Sequence, residues 1–421
     1  MGMFRKIERE GKRMSGEERL KDFAARNFQK AITKVNERIY HFLGYGHSNA
    51  IAIIGNASVI LVDTLDSDEY AGDMRRELAK ITEKPVRTII FTHGHPDHRG
   101  GSGAFRDTAE EIIAFAPQRP ALKYYNRLES VLDKRGKFQH GYGLTDEEAI
   151  CQGIGIREGK ETGHGKYDFL SPTTVYNQKS VERTIDGVKM KLVSAPGETD
   201  DQIFIWLEDD RVICTGDNYY GCWPNLYAIR GTQYRDIAAW IDALDEILSY
   251  PAVALLPGHT KPLMGRELIR EQVGTFRDAI EYVLTQTLDC MNQGLSMSET
   301  AEAVKLPERF AEKEYLGEFY GTVEWAVKSI YTGYLGWFDG NPANLLPVSD
   351  SEYRAALLEA IDRKRLTEVI ERSFERENYQ LALQLLELTD DKERKKRALL
   401  GRAKQVTSAN ARHYLIASAK S

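Results

Sequence analysis

The period of the hydrophobic positions changes near residue 268. Before it, short apolar runs alternate with amphipathic stretches. Residues 38–44 (RIYHFLG), 50–55 (AIAIIG) and 57–64 (ASVILVDT) have the β-branched and aromatic density of strands, with a Gly55-Asn56 turn. A helix is predicted from Glu69 to Ile81. The run VRTIIFT (86–92) is apolar almost throughout, as a strand covered on both faces is. After a further helical stretch and a glycine-rich region (136–165), strands resume in VERTIDGV, KMKLVSAP, QIFIWLE and RVICTG, with an Asp186-Gly187 hairpin turn. A helix over 236–250 then leads to a buried-type strand, VALLP (253–257).

Beyond residue 268 the apolar spacing is that of amphipathic helices separated by turns. The segment GWFDGNPANLLPVSD (336–350) breaks them, its aromatics reading as core and its Gly-Asn-Pro as a turn. The expected organisation is an α/β domain over 1–267 followed by an all-α domain over 268–421. A chain of 421 residues is long for one domain.

Composition narrows the class. With 42% hydrophobic and 29% charged residues, the chain is neither disordered, collagen-like nor a disulfide scaffold. Its 57 basic and 63 acidic residues give a net charge of −6, which argues against nucleic acid as a partner. Four cysteines without CxxC spacing fit a reducing, cytoplasmic setting. The first residues lack the apolar run of a secretory signal, and Lys6 stands where a myristoylation signal needs Ser or Thr. No run approaches the roughly 18 apolar residues of a membrane span.

The chemistry is concentrated in Thr92-His93-Gly94-His95-Pro96-Asp97-His98-Arg99-Gly100-Gly101, directly after a predicted strand. His93 and His95 can converge on one cation as the strand ends, and Asp97 and His98, on the following turn, can aim at a second. Imidazole and carboxylate are donors that zinc accepts. This motif resembles the signature of the metallo-β-lactamase superfamily. The resemblance implies an αββα sandwich, a third ligand at a Pro-Gly-His-Thr position, a bridging Asp after a strand and a last His near the domain end. The chain offers Pro196-Gly197-Glu198-Thr199, Thr215-Gly216-Asp217 and Pro257-Gly258-His259-Thr260, in that order.

Glu198 departs from the usual His, and alkylsulfatases (type III sulfatases) carry a glutamate at about this point. Ile229-Arg230-Gly231-Thr232 is similar to their Leu-Arg-Gly-Ala segment, whose Arg grips sulfate. Residues Tyr320-Gly321-Thr322-Val323 and Tyr334-Leu335-Gly336-Trp337-Phe338-Asp339-Gly340-Asn341-Pro342 resemble their dimerisation domain, and Tyr142-Gly143 matches a substrate-contacting element. The resemblance implies two divalent metal ions, zinc being the expected metal. His93, His95 and Glu198 would hold one ion, Asp97, His98 and His259 the other, and Asp217 both. Asp97, Asp217 and Arg230 would carry the hydrolysis of an anionic ester, foremost a sulfate ester, with Tyr142 touching the substrate. A homodimer through the helical domain is expected. A phosphoester, lactone or thioester substrate stays open, since the fold hosts all of these. Three departures stand out: neither a leader nor the family's sterol-carrier-like third domain is expected, and Arg235 stands where some members place an acid-donating His. His41, His47, His140, His164 and His413 read as structural or surface residues.

Overall fold

Apolar runs of four or five residues are too short for stable helices and bury both faces when paired as strands. In the computed structural model, which describes residues 14–421, they form two sheets. The expectations about a secretory or myristoyl signal concern residues that lie outside the described ones. The first sheet holds, in chain order, β1 (Ala31–Lys34), β2 (Ile39–Leu43), β3 (Ala50–Ile54), β4 (Val59–Val62), β5 (Val86–Ile90), β6 (Glu111–Phe115) and β7 (Thr174–Tyr176). The second holds β8 (Ser180–Ile185), β9 (Val188–Ser194), β10 (Ile203–Leu207), β11 (Val212–Gly216), β12 (Ala254–Pro257) and β13 (Leu263–Met264). The hairpin between β8 and β9 closes at Ile185↔Val188, with Asp186 and Gly187 at φ 46° and 82°, the left-handed pair that a tight two-residue turn requires.

Side-chain alternation explains the layering. Ile60 and Val62 of β4 point inward to a cluster with Ile90, Leu192, Ile203, Ile205 and Leu256, between the sheets. Val59 and Leu61 point outward and meet Met74 and Leu78 of the helix Asp68–Ala79. On the far side, Phe204 and Ile213 pack under Trp240 and Leu244 of the helix Ile237–Ser249. The result is the αββα sandwich, and all-helical structure follows it, from Val323–Leu335 to Ala409–Lys420.

Two details refine the sequence reading. The expected boundary at 267/268 falls in the first turn of the helix Arg266–Asn292, whose Ile269, Val273 and Phe276 share a cluster with Trp240. The connector is not core within one chain, because Trp337 is 74% and Leu346 90% exposed.

Strand direction positions the site. β4, β5 and β6 run parallel, as do β11 and β12, so the ends of β5, β11 and β12 each pass into one of the expected metal-binding segments.

Candidate metal centre

The turn after β5 becomes a single helical turn, Pro96–Arg99, opened by proline at its first position, where the missing N–H costs nothing. It carries His93, His95, Asp97 and His98 toward one cleft. Glu198 follows β9, Asp217 follows β11 and His259 follows β12. Gly258 allows the last approach, since a Cβ there would lie 2.4 Å from Asp217 Oδ1.

All seven side chains meet. Asp97 Oδ2 lies 3.4 Å from His98 Nε2 and 3.3 Å from His259 Nε2, and His98 Nε2 lies 3.3 Å from His259 Nε2. Asp217 places Oδ1 3.3 Å from His98 Nε2 and Oδ2 3.3 Å from His259 Nε2. Donors about 2.0–2.1 Å from a shared cation stand about 3.3–3.4 Å apart, so the Asp97, His98 and His259 separations suit one ion, while Asp217 turns a different oxygen to each histidine. On the other side, His93 Nε2 lies 3.0 Å from His95 Nδ1 and 3.8 Å from Asp217 Oδ2, and His95 Nδ1 lies 4.0 Å from Glu198 Oε1. His95, Glu198 and Asp217 bring their donor atoms within 4.8 Å of one another.

The electrostatics call for positive charge. Asp97, Glu198 and Asp217 converge in a largely buried space, and Asp217 Oδ1 has no aligned hydrogen-bond donor. Burial pushes the Glu198 carboxyl up to about 7, against the pull of Arg235. Burial works against charge on His259 too, yet Asp217 and Asp97 raise it to about 9. Bound divalent cations would supply what those protons supply here. The residues fit the metal: this is a divalent-metal site.

The surrounding contacts fix ring orientation. Asp63 ends β4 in the left-handed region (φ 57°), accepts from the Thr92 N–H and hydroxyl, and faces His98 Nδ1 at 2.8 Å. His259 Nδ1 lies 3.0 Å from the His47 carbonyl. Second contacts of this kind hold a ligating imidazole in one tautomer.

Beyond the seven, Arg230 places Nη2 3.3 Å from His95 Nε2, while its backbone N–H donates to Gln139 Oε1 at 2.8 Å. Arg235 is buried and donates through Nη1 to Glu198 Oε1 at 2.7 Å and to the Asn225 carbonyl. Tyr142 lines the cleft and donates to Glu158 Oε2 at 3.0 Å. The cleft encloses about 330 Å³.

Two histidines set aside on sequence grounds belong to this cleft. His47 is buried, with Nδ1 3.5 Å from both Asp97 Oδ2 and Glu158 Oε1, and His140 Nδ1 stands 3.3 Å from the same Glu158 oxygen. They were missed because each lies on a turn or helix end far from the His-rich motif, as does Glu158. Asp63 had a legible signal, a carboxylate directly ending an apolar strand. His41 and His413 are structural, facing the Pro257 carbonyl and the Gln139 and Ala149 carbonyls, and His164 pairs with Glu69 at the surface.

With fold and site in place, comparison with known proteins identifies the class. Residues 43–259 match the metallo-β-lactamase superfamily model, and the chain belongs to that superfamily. Residues 296–421 match the alkyl sulfatase dimerisation model. The chain is 34% identical over 309 residues to a linear primary-alkylsulfatase of Pseudomonas sp. (strain ATCC 19151), covering 71% of this chain and 58% of that one. It is 32% identical over 340 residues to the alkyl/aryl-sulfatase BDS1 of Saccharomyces cerevisiae, covering 78% and 52%. The chain thus spans little more than half the length of these relatives. The solved structure of the inverting sec-alkylsulfatase Pisa1 from Pseudomonas sp. superposes with a TM-score of 0.85 at 23% identity, over 96% of this chain and 67% of that one, a likeness of fold. Among the described residues no helix is long and apolar enough to cross a membrane.

Proposed function

We propose that this chain is a binuclear, metal-dependent hydrolase of sulfate esters. The observation that carries this reading is Arg230, whose guanidinium stands beside the histidine and carboxylate cluster in the same cleft. A guanidinium is the fork that matches a tetrahedral oxyanion. The modules and relatives named above support it.

His93, His95 and Glu198 would hold one ion, Asp97, His98 and His259 the second, and Asp217 would bridge them. Zinc suits this mixture of imidazole and carboxylate. When bound, such a pair supplies a water acidified toward neutrality and offsets the substrate's negative charge. The protein's own residues do the rest. Arg230 orients the sulfate group, Arg235 holds Glu198 in one orientation, and Asp63 holds His98. The Tyr142 hydroxyl stands at the cleft wall as a substrate contact. A cytoplasmic setting and a division of the chain at 267/268 into catalytic and dimerising parts belong to the same proposal.

The test is a metal analysis of purified protein, then turnover of alkyl and aryl sulfates beside the matching phosphates, lactones and thioesters. We expect two zinc ions per chain and preferential sulfate ester cleavage. Turnover of another series without any sulfate ester would keep the metal site and discard the substrate. Charge-assisted hydrogen bonds contribute about 1.5–3 kcal/mol. Arg230→Ala should therefore lower kcat/KM for a sulfate ester roughly ten- to a hundred-fold at unchanged metal content. Arg230→Lys should recover only part, since an ammonium keeps the charge and loses the fork. Full activity in Arg230→Ala would remove the arginine from the site.

A further inference from the structure

The turn between β2 and β3 brings a further imidazole, His47, to the metal centre. This turn is stitched to two of the ligand-bearing segments. Ser48 Oγ donates to the Asp97 carbonyl at 2.7 Å, and the Asn49 N–H donates to the Gly258 carbonyl at 2.7 Å. Asn49 Nδ2 adds bonds to the Pro257 and Thr260 carbonyls, on either side of His259. The His47 N–H donates to Asp66 Oδ1 at 2.7 Å, and the His47 carbonyl faces His259 Nδ1 at 3.0 Å. Gly155 lets a second loop pass close by, since a Cβ there would lie 1.9 Å from the His47 carbonyl oxygen. The backbone from which His47 projects is therefore fixed relative to Asp97 and His259.

The ring itself lacks partners. His47 is 3% exposed, and neither of its ring nitrogens makes an aligned hydrogen bond. Leaving a buried polar group unpaired is costly, and such an orphan marks a partner, an ion among them. Its Nδ1 stands 3.5 Å from Asp97 Oδ2, close to the 3.3–3.4 Å that separates Asp97 Oδ2, His98 Nε2 and His259 Nε2 from one another. His47, Asp97 and His259 each bring one donor atom within 4.8 Å of the others. Glu158 Oε1 also lies 3.5 Å from Nδ1 without an aligned bond, and its Oε2 is taken by the Tyr142 and Tyr167 hydroxyls at 3.0 and 2.8 Å. Nδ1 is committed to neither carboxylate and can present a lone pair to a cation.

We propose that His47 is a direct ligand, through Nδ1, of the ion that Asp97, His98 and His259 hold; this rests on the two-metal reading above and not on the sulfate ester. Neutral imidazole is a donor that zinc accepts. That ion then has four donors of its own besides the shared Asp217, against three at His93, His95 and Glu198. A shell filled by protein donors keeps no open position. The place for a substrate oxygen therefore falls on the other ion, whose ligand His95 stands beside Arg230.

The experiment uses the full chain loaded with zinc. Anomalous diffraction from its crystals should place His47 Nδ1 about 2.0–2.1 Å from an ion. A ring whose nitrogens both lie more than about 2.5 Å from every ion would overturn the assignment. In solution, a residue that only orients a ligand typically accounts for about 10–100-fold in metal affinity. His47→Ala should lower divalent-metal affinity by more than that, about 100-fold or beyond, read by competition with a chelator. Free imidazole, at concentrations that leave the wild type unchanged, should fill the vacated space and restore part of the affinity. A smaller loss, or no recovery with imidazole in a folded variant, would also overturn the assignment. Should His47→Ala fail to fold by circular dichroism, the wild-type crystal decides alone. Zinc bound by His47 in a protein that cleaves no sulfate ester would keep this assignment and discard the substrate reading. A wild type that binds no divalent metal would overturn both this assignment and the metal reading.

Discussion

At the scale of single residues, the centre depends on side chains that touch no substrate. Asp63 accepts two hydrogen bonds from Thr92 and faces His98 Nδ1, so it ties the first residue of the His-rich turn to a ring at its far end. Asp63→Asn keeps the size but presents an amide where His98 needs an acceptor. Replacing such second contacts typically costs 10–100-fold in metal affinity. We expect a loss in that range for bound divalent metal, read by competition with a chelator, with the fold retained by circular dichroism. Unchanged metal affinity would reduce Asp63 to a turn residue. Arg235 depends likewise on its partner, since without Glu198 the buried guanidinium would keep the Asn225 carbonyl but lose its counter-charge, which costs more than the pair contributes.

At the scale of elements, the parts of the site legible in the sequence are those that follow strands. The run VRTIIFT announces β5 and the motif after it, and Asp217 and His259 follow apolar runs that could only be buried strands. Period and motif therefore agree there. His47, His140 and Glu158 were not legible because a turn, a helix end and a loop bring them together, and nothing in local spacing records that meeting. The connector misled for a different reason. Aromatic density marks burial, but Trp337 is 74% exposed on the single chain. Strand ends also set what a small change costs. A Cβ at Gly258 would stand 2.4 Å from Asp217 Oδ1 and 2.8 Å from His98 Cε1. Overpacking of this kind costs about 1–3 kcal/mol. Gly258→Ala should therefore fold with a lowered melting temperature and lose bound metal. Full metal content in that variant would mean the two ends are looser than the geometry implies.

At the scale of the whole molecule, the helical part leaves an unsatisfied surface. Tyr334, Leu335, Trp337, Leu345, Leu346, Val348 and Tyr353 are 49%, 57%, 74%, 51%, 90%, 53% and 61% exposed within twenty residues of chain. Burying a large apolar side chain contributes about 1.5–3 kcal/mol, so seven left in water are a strong drive to association. The segment lies inside residues 296–421, which match the alkyl sulfatase dimerisation model, so the expected cover is a second copy of the chain. Obligate homodimers commonly bury about 2,000 Å² or more, with aromatic residues as anchors. Light scattering at micromolar concentration should give a dimer. Trp337→Glu combined with Leu346→Glu would place two charges in that surface and should yield monomers that still bind metal, because neither residue lines the cleft. A wild type that scatters as a monomer, or a double variant that stays dimeric, would move the interface elsewhere on the molecule.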